Sequence, residues 1–235
     1  MAQKELLDSG KLLPAMEEFF SLQGEGFHTG SAAWFIRVGG CDVGCEWCDV
    51  KESWNAELFP PVETDQMVYR ARKCSANAVI ITGGEPLRYN LDYLCQQLKF
   101  SHETPVMSHQ ASGNSHEVPA TSSQQPATSI KTFLETSGTQ PLSGIWDWIC
   151  LSPKREWPPR EEFYAISQEL KVIIHEPEDL AWAEQQASQV SPDCHLFLQP
   201  EWSRRDEMLP LIIQYIKAHP GWKLSLQSHK YIGIP

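Results

Sequence analysis

The hydrophobic positions of the chain fall into short apolar runs, and stretches with helical spacing alternate with them. Apolar and β-branched residues dominate runs such as Ala33–Val38 and Ala78–Thr82, which is typical of buried strands. In an intervening stretch, Leu91, Leu94 and Leu98 recur every three or four residues, which predicts an amphipathic helix. Alternating strands and helices predict a mainly parallel α/β sheet, either open or curled into a barrel.

This pattern predicts eight strands and four helices. The strands are expected at Glu17–Ser21, Ala33–Val38, Ala78–Thr82, Ile130–Glu135, Trp146–Leu151, Glu169–Ile174, His195–Leu198 and Trp222–Leu226. The helices are expected at Thr64–Lys73, Leu91–Lys99, Glu178–Ala187 and Asp206–His219. The hydroxyl of Thr64 is expected to cap its helix by accepting a free backbone N–H. Residues 1–15 are interpreted as a loosely held lead-in.

Residues 102–129 interrupt the alternation of strands and helices. Twelve of these 28 residues are Ser, Thr or Pro, and no apolar period is present, so we interpret the segment as a disordered surface insertion. His102, His109 and His116 lie in it. Solvated loop histidines are the better interpretation for them than metal ligands, because nothing around them is arranged to converge.

Length and composition limit the class of protein. The 235 residues, 41% of them hydrophobic, suffice for one sizeable core, so residues 1–235 are expected to form a single domain. The net charge of −11 argues against binding nucleic acid or an anionic membrane. No apolar run has the length of a membrane span, and the N-terminal residues lack a signal-peptide core. Seven cysteines, an odd number, indicate a reducing cytoplasm and a metal site rather than disulfides.

Three of these cysteines, Cys41, Cys45 and Cys48, stand four and three residues apart in one glycine-containing loop. Thiolates this close together can converge on one soft metal centre. A closed zinc or electron-transfer iron–sulfur site needs four protein ligands, and the other cysteines are scattered. Three ligands without an obvious fourth favour a 4Fe-4S cluster with one open iron. The alternatives are a zinc site completed by a histidine such as His28, and three unrelated buried thiols.

Unusual clusters of polar residues and glycines come directly after the predicted strands. They are Cys41–Cys48, Gly83–Glu85, Thr136–Ser137, Ser152–Lys154, Gln199 and Gln227–His229. The carboxyl ends of parallel strands lie at one face of a sheet, where such folds bind ligands. Each cluster alone is weak evidence, since polar loops follow strands in any fold, but their agreement predicts one site.

Two of these clusters have a chemistry of their own. The glycines of Gly83–Glu85 let backbone approach a ligand closely, and exposed carbonyls together with the carboxylate can receive an ammonium group. An ordinary turn is the alternative. Ser152 and Lys154 can hold hydroxyl or carboxylate groups of the same ligand. Trp47 and Trp54 either cover the metal centre or are ordinary core aromatics.

The cysteine spacing resembles the signature of the radical S-adenosylmethionine enzymes. A longer set of motifs in this order resembles the 7-carboxy-7-deazaguanine synthases and covers nearly the whole chain from about Glu17, except residues 102–129. The motifs are Leu22–Gly26, Arg37 with the cysteine loop, Thr82–Pro86, Glu135–Thr139, Ser152–Lys154, Gln199–Pro200 and Gln227–Lys230.

The resemblance implies an α/β fold, a partial (β/α)6 TIM-like barrel with reduced helical cover, and a homodimer. It implies a cytoplasmic carbon–nitrogen lyase that uses a 4Fe-4S cluster and S-adenosyl-L-methionine and is reduced by a flavodoxin- or ferredoxin-type partner. The expected reaction converts 6-carboxy-5,6,7,8-tetrahydropterin to 7-carboxy-7-deazaguanine with loss of ammonia, on the route to queuosine.

The resemblance also implies roles for single residues. Cys41, Cys45 and Cys48 would bind the cluster. Residues expected at the S-adenosylmethionine site are Trp47, Cys48, Asp49, Gly84, Glu85, Ser137, Ser152, Pro153, Lys154, Gln199 and Pro200. Residues expected at the pterin site are Leu22, Gln23, Gly24, Glu25, Arg37, Thr82, His229 and Pro235.

The chemistry of the pterin residues agrees with these roles. Gln23 and Glu25 can match donors and acceptors on a pterin edge, and Arg37 suits a carboxylate. The carboxylate of Pro235 could also reach the pterin. The alternatives are a polar turn for Gln23 and Glu25, a surface cation for Arg37 and a frayed tail at Pro235.

One position departs from the family pattern. Val50 stands where the family usually has a threonine whose hydroxyl helps to hold Mg²⁺, and valine offers no side-chain oxygen. Either Ser53, Asp49 or water substitutes, or the magnesium dependence is weak. Another radical S-adenosylmethionine reaction and a zinc-bearing interaction module remain as alternative functions.

Overall fold

The computed structural model describes residues 3–74, 76–100 and 129–235. The strands are β1 (Leu12–Leu22), β2 (Ala32–Val38), β3 (Pro61–Glu63), β4 (Ala78–Gly83), β5 (Lys131–Thr136), β6 (Trp148–Leu151), β7 (Glu169–Ile174), β8 (His195–Pro200) and β9 (Trp222–Leu224). The helices are α1 (Gln3–Asp8), α2 (Thr64–Lys73), α3 (Asp92–Phe100), α4 (Glu161–Ile166), α5 (Asp179–Ala187), α6 (Arg205–Ala218) and α7 (Ser228–Ile232).

These strands form one sheet in the order β3-β1-β2-β4-β5-β6-β7-β8-β9. Neighbouring strands are parallel from β2 to β9, whereas β1 runs antiparallel to β2 and β3. Parallel neighbours need a crossover connection, and each of these connections contains a helix except the one between β5 and β6. The prediction of a mainly parallel α/β sheet is therefore confirmed.

The sheet curves so strongly that its distant ends come into contact. A flat sheet would hold β1 and β9 roughly 34 Å apart, since strands are spaced by about 4.8 Å. Instead, Ser228 N, just after β9, donates to Gly24 O, just after β1, at 2.9 Å. Gln23 Nε2 likewise reaches Glu135 Oε1 on β5 at 2.7 Å. The segment after β1 thus crosses the concave face of the sheet.

The convex face carries the main core. Side chains alternate between the two faces of a strand, and those of Ile36, Ile81, Leu134, Val172 and Leu198 are fully buried on the helix side. Apolar residues of the covering helices pack on them. Burial of these branched aliphatic side chains stabilises each strand and fixes which of its residues point the other way.

The concave face changes from apolar to polar along the strands. Its apolar part contains Phe35, Ile80 and Phe133, and two residues further along the same strands stand Arg37, Thr82 and Glu135. Because the period of a strand is two, these polar side chains point to the same interior. The carboxyl ends of the strands therefore surround a polar space above an apolar floor.

Every predicted helix and strand is present, and all ends except the start of β1 agree within two residues. The elements that were not predicted are β3, α1, α4 and α7. Helices α4 and α7 contain only six and five residues, too few to show a hydrophobic period. Pro61–Glu63 forms a strand because it pairs with the start of β1, which no local pattern indicates.

The interpretation of residues 1–15 as a loose lead-in was wrong. Gln3–Asp8 is helical, and β1 begins at Leu12. Leu13 is fully buried in the main core. Thr64 was also misinterpreted, because Glu63 holds the N-cap position. The Thr64 hydroxyl donates instead to the carbonyl of Gly10 at 2.6 Å, which ties the N-terminal segment to α2.

The predicted insertion at 102–129, with His102, His109 and His116, falls outside the described residues apart from Ser129. None of the described helices combines the length and the apolar character needed to cross a lipid bilayer.

Replacing Leu13 with alanine tests the corrected N-terminal structure. We expect Leu13→Ala to lower the free energy of unfolding by about 2–5 kcal/mol, because the side chain leaves a cavity in the core. Leu58→Ala is the control, since Leu58 is 60% exposed, and it should change stability by less than about 1 kcal/mol. Urea unfolding followed by circular dichroism measures both. Equal, small effects would restore the lead-in interpretation.

Candidate active site

A cavity of about 480 Å³ opens at the carboxyl ends of the parallel strands. All the predicted site residues except Pro153 line it. Pro153 is buried between Ser152 and Lys154, whose side chains do reach the cavity. The structure thus brings together residues that are spread from Leu22 to Pro235 in the sequence. Which ligand each residue contacts remains a prediction.

The cysteine loop is fastened to the wall of this cavity by backbone hydrogen bonds. Gly40 N donates to Ser53 O at 2.6 Å, and Cys41 N donates to Trp54 O at 3.1 Å. Ser53 and Trp54 belong to a short 3₁₀ helix, Lys51–Trp54, that follows the loop. These bonds close the loop on itself, so its cysteine side chains face the cavity together.

Cys41, Cys45 and Cys48 are free, partly buried thiols that line the cavity. Burial raises the pKa of Cys45, and the nearby Cys41 and Cys48 raise it further, whereas Lys154 lowers it. Within the described residues, no three His, Cys, Asp or Glu side chains lie close enough to hold a single metal ion. A 4Fe-4S cluster is ligated at separate iron atoms, so its thiolates need not converge on one point.

His28, the predicted candidate for a fourth zinc ligand, lies elsewhere. Its ring packs against Phe133 and Trp148, at centroid distances of 4.5 and 4.4 Å, on the apolar floor below the cavity. It is not among the residues that line the cavity with the cysteines. The geometry therefore does not support a zinc site completed by His28. The three thiols at an open cavity fit a 4Fe-4S cluster in which one iron has no protein ligand.

The Gly83–Glu85 turn is locked to the start of the cysteine loop. Gly84 N donates to Val38 O at 2.9 Å, and Glu85 N donates to Gly40 O at 2.9 Å. A Cβ on Gly84 would overlap the carbonyl group of Gly40, so only glycine permits this close approach. Gly83 and Gly84 remain partly exposed beside the cysteines.

The carboxylate of Glu85 is used within the protein. It is 1% exposed and accepts hydrogen bonds from Leu87 N at 3.1 Å, Thr136 Oγ1 at 2.6 Å, Ser137 N at 2.9 Å and Ser137 Oγ at 2.5 Å. Four donors fill the acceptor sites of a carboxylate. The geometry therefore does not favour the predicted contact of this carboxylate with a ligand ammonium. Glu85 and Ser137 instead join β4 to β5 under the turn.

Lys154 forms a cationic part of the wall next to the cysteines. Its Nζ donates to Ser152 O at 2.7 Å and to Ser152 Oγ at 2.8 Å, and it lies 5.5 Å from the centroid of the Trp47 ring. Burial lowers the pKa of Lys154, while Cys45 and Glu85 oppose that effect. This ammonium group is suited to bind an anionic group of a ligand beside the cysteine loop.

The opposite part of the wall contains an acidic group and its partners. Glu25 accepts hydrogen bonds from Lys171 Nζ and, at 2.9 Å, from Gln227 Nε2. Burial alone would raise the pKa of Glu25, but the charge and hydrogen bond of Lys171 outweigh it and lower the pKa. Gln23 donates to Glu135 at 2.7 Å and its Oε1 accepts from Glu25 N at 3.1 Å. This wall therefore presents carboxylate acceptors that hydrogen bonds hold in place.

A second acidic group stands where α7 meets the cysteine loop. Asp49 accepts hydrogen bonds from Lys230 Nζ and, at 3.0 Å, from Gln227 Nε2. Burial opposes ionisation of Asp49, but these two donors lower its pKa. Burial also lowers the pKa of His229, although Glu25 raises it. The His229 ring lies directly against Gly24, where a Cβ would overlap it, so two predicted pterin residues touch.

Arg37 and Pro235 lie at the open end of the same wall. Arg37 Nε donates to Glu17 Oε1 at 2.7 Å, across the β1–β2 pair. Within the part of the chain that the structure describes, the Arg37 side chain forms no other hydrogen bond. Its two terminal nitrogens are therefore available for a ligand carboxylate. Ser21 Oγ donates to Pro235 O at 2.9 Å, which holds the last residue at the cavity.

Val50 removes one oxygen ligand from the magnesium site that the family pattern implies. Val50 lines the cavity without a side-chain oxygen. The hydroxyl of Ser53 is buried and donates to Val50 O at 2.6 Å, and the Asp49 carboxylate already accepts from Gln227 and Lys230. Magnesium requires oxygen ligands. Both donors to Asp49 bind its Oδ2, so Oδ1 is the side-chain oxygen next to Val50 that is left to replace the threonine hydroxyl.

Among the residues of the wall to which sequence reasoning gave no role are Glu135, Lys171 and Trp202. Lys171 carried a signal, because it stands between Leu170 and Val172 in a strand whose last five residues are otherwise apolar. Trp202 follows β8 and packs on Tyr231 at 5.3 Å between ring centroids; its position depends on a contact between distant parts of the chain, which the sequence pattern does not show.

Comparison with known proteins gives a consistent result. A family model described as a 4Fe-4S single cluster domain matches residues 22–112. A 7-carboxy-7-deazaguanine synthase from Flavobacterium psychrophilum is 47% identical over 100% of both chains. Another from a Synechocystis species is 42% identical and covers 94% of this chain and 93% of its own. The crystal structure of QueE from Escherichia coli matches with a TM-score of 0.71 at 25% identity, covering 97% and 99% of the two chains.

The lowered pKa of Glu25 predicts that its contribution to the free energy of unfolding depends on pH. A carboxyl whose pKa is lower in the folded chain than in the unfolded chain stabilises the fold. This contribution is complete when the pH is above the ordinary pKa of 4.5, and it is lost as the pH falls through the pKa of the folded chain. We expect Glu25→Gln to cost about 1–3 kcal/mol of unfolding free energy at about pH 7, and less as pH falls below 4.5.

Urea unfolding across this pH range measures the effect. Glu57→Gln is the matched control, because Glu57 is exposed, and it should change the free energy of unfolding by less than about 0.5 kcal/mol. A cost of Glu25→Gln that stays constant down to about pH 3 would contradict the assigned ionisation.

Proposed function

The chain belongs to the 7-carboxy-7-deazaguanine synthase family, and on that basis we propose that it converts 6-carboxy-5,6,7,8-tetrahydropterin to 7-carboxy-7-deazaguanine with loss of ammonia, in queuosine biosynthesis. It would thus be a carbon–nitrogen lyase. The observation that carries the proposal is the single cavity, in which the three cysteines face the wall that contains Gln23, Glu25 and Arg37.

We propose that the cavity holds a 4Fe-4S cluster on Cys41, Cys45 and Cys48, with S-adenosyl-L-methionine at its open iron. These groups would supply a 5′-deoxyadenosyl radical for hydrogen abstraction. Their fit rests on the free thiols at the cavity wall and on the match to a 4Fe-4S single cluster domain. Lys154, held by Ser152, would orient an anionic group of the cosubstrate. Gly84 would allow its close approach.

The opposite wall would bind the pterin. The ionised carboxylate of Glu25 and the side chain of Gln23 would accept and donate along the edge of the ring. The free nitrogens of Arg37 would form a bidentate contact with the substrate carboxylate. The curved sheet and α7 would shield the ring from water, because His229 on α7 packs against Gly24.

Several finer proposals rest on family membership. We propose that the curved sheet is a partial (β/α)6 barrel with reduced helical cover, in agreement with the contact between the segments after β1 and β9 and with the helix-free connection from β5 to β6. We also propose a homodimer, a flavodoxin- or ferredoxin-type reductant, and a cytoplasmic location, which suits seven free cysteines.

The decisive experiment is an anaerobic assay of the reconstituted enzyme. The protein is incubated with the carboxypterin, S-adenosyl-L-methionine and a reductant, and the product is identified by mass spectrometry. We expect 7-carboxy-7-deazaguanine and ammonia to form. If 5′-deoxyadenosine forms without the deazaguanine, another radical reaction is favoured, and a colourless zinc protein without affinity for the cosubstrate would favour the interaction module.

Magnesium stimulation of this reaction should be weak, because Val50 offers no side-chain oxygen and the Ser53 hydroxyl is buried and hydrogen-bonded to Val50 O. Val50→Thr adds a hydroxyl at the cavity wall without a large change in volume. We expect magnesium to raise kcat/KM of the wild-type enzyme by less than about threefold, and to stimulate Val50→Thr more strongly. Val43→Thr, elsewhere in the loop, is the control. A large wild-type stimulation abolished by chelation would contradict this prediction.

A further inference from the structure

A buried lysine lies behind two carboxylates of the cavity wall that is proposed to bind the pterin. Lys171 lies in the middle of β7, and its side chain is 4% exposed. Its Nζ donates to Glu25 Oε2 and lies 3.8 Å from Glu135 Oε2. The side chains of Glu25 and Glu135 are 15% and 24% exposed at the cavity. The Lys171 ammonium group therefore lies behind the two carboxylates, and the carboxylates face the cavity.

The second oxygen of each carboxylate is fixed by an amide. Gln227 Nε2 donates to Glu25 Oε1 at 2.9 Å, and Gln23 Nε2 donates to Glu135 Oε1 at 2.7 Å. Glu25 is thus held by hydrogen bonds from the ammonium group and from an amide, whereas Glu135 is held by an amide hydrogen bond and by the ion pair with Lys171. Such charge-assisted bonds orient acceptors more strongly than neutral ones. The pair is preorganised before any ligand arrives.

The surroundings keep this lysine charged. Burial would lower the pKa of Lys171, but Glu135 and Glu25 raise it well above its ordinary value, with smaller contributions from Cys150 and Glu169. Without the lysine, the two carboxylates would repel each other.

We propose that Lys171 is a positioning residue that sets ring specificity, because it holds Glu25 and Glu135 as two carboxylate acceptors for the adjacent N–H donors of a 2-amino-4-oxopyrimidine edge. This inference rests on the proposed function, since that edge belongs to the pterin. A 2,4-dioxo ring, as in a lumazine, places a carbonyl oxygen where the amino group would be. That oxygen would face a carboxylate and be rejected.

The test compares 6-carboxypterin with 6-carboxylumazine, in which a carbonyl replaces the 2-amino group and N1 carries a proton. Isothermal titration calorimetry on the purified, reconstituted full chain measures both dissociation constants without relying on turnover. We expect the wild-type protein to bind the pterin at least about 100-fold more tightly than the lumazine. In Lys171→Met, this ratio should fall to about 10 or less, mainly through weaker pterin binding.

Controls separate positioning from a general loss of structure. Lys171→Arg keeps the charge and should retain most of the ratio. Lys223→Met removes an exposed lysine of β9 and should leave the ratio unchanged. Affinity for S-adenosyl-L-methionine should be the same in all variants, because its proposed site lies on the opposite wall. In turnover, Lys171→Met should raise KM for the pterin more than it lowers kcat.

A second variant covers the case in which Lys171→Met fails to fold. Glu135→Gln keeps the shape of the wall but replaces one acceptor with an amide that can donate to a carbonyl, so the ratio should again fall about tenfold. An unchanged ratio in either variant would overturn the proposal. A wild-type protein that binds both rings equally would also overturn it and leave the proposed function standing, whereas binding of neither ring would count against the proposed function itself.

Discussion

The curvature of the parallel sheet is the constraint on which the site depends. Strands β2 to β9 end at one face, and the curvature brings the segment after β1 back to meet the segment after β9, through the bond from Ser228 N to Gly24 O. Because side chains alternate along each strand, the aliphatic residues that fix the convex core also determine which residues face inwards. The cavity is thus specified by the same packing that stabilises the fold.

Within this frame, the cavity has two chemically different walls. One wall carries soft thiols and the ammonium group of Lys154, joined to the sheet through the Gly84 turn and the carboxylate of Glu85. The other carries Glu25, with Lys171 behind it. The chain as a whole is acidic, with a net charge of −11, so these local cations rather than the overall field would hold anionic parts of a ligand.

Most of the fold and most of the cavity lining could be predicted from the sequence, because apolar strand patterns and polar strand ends are local signals. Lys171 could not be assigned, since its partner Glu25 stands 146 residues away and only the curved sheet brings them together. Glu85 shows the same limit of local signals. Its sequence position suggests a ligand contact, and the sequence does not show that Thr136, at the end of β5, and Ser137, directly after it, donate to its carboxylate. The buried strand at Leu13 depends on pairing with Pro61–Glu63, which no local pattern reveals.

The central claim is that the three cysteines of one loop together hold an iron–sulfur cluster in this cavity. It is tested most directly by the iron and sulfide content of anaerobically reconstituted protein. The wild-type chain and Cys74→Ala, whose thiol lies outside the cavity wall, should each bind about four iron atoms and four sulfides per chain. Cys41→Ala, Cys45→Ala and Cys48→Ala should each lose most of that content. Full iron and sulfide content in any of these three variants would contradict the account.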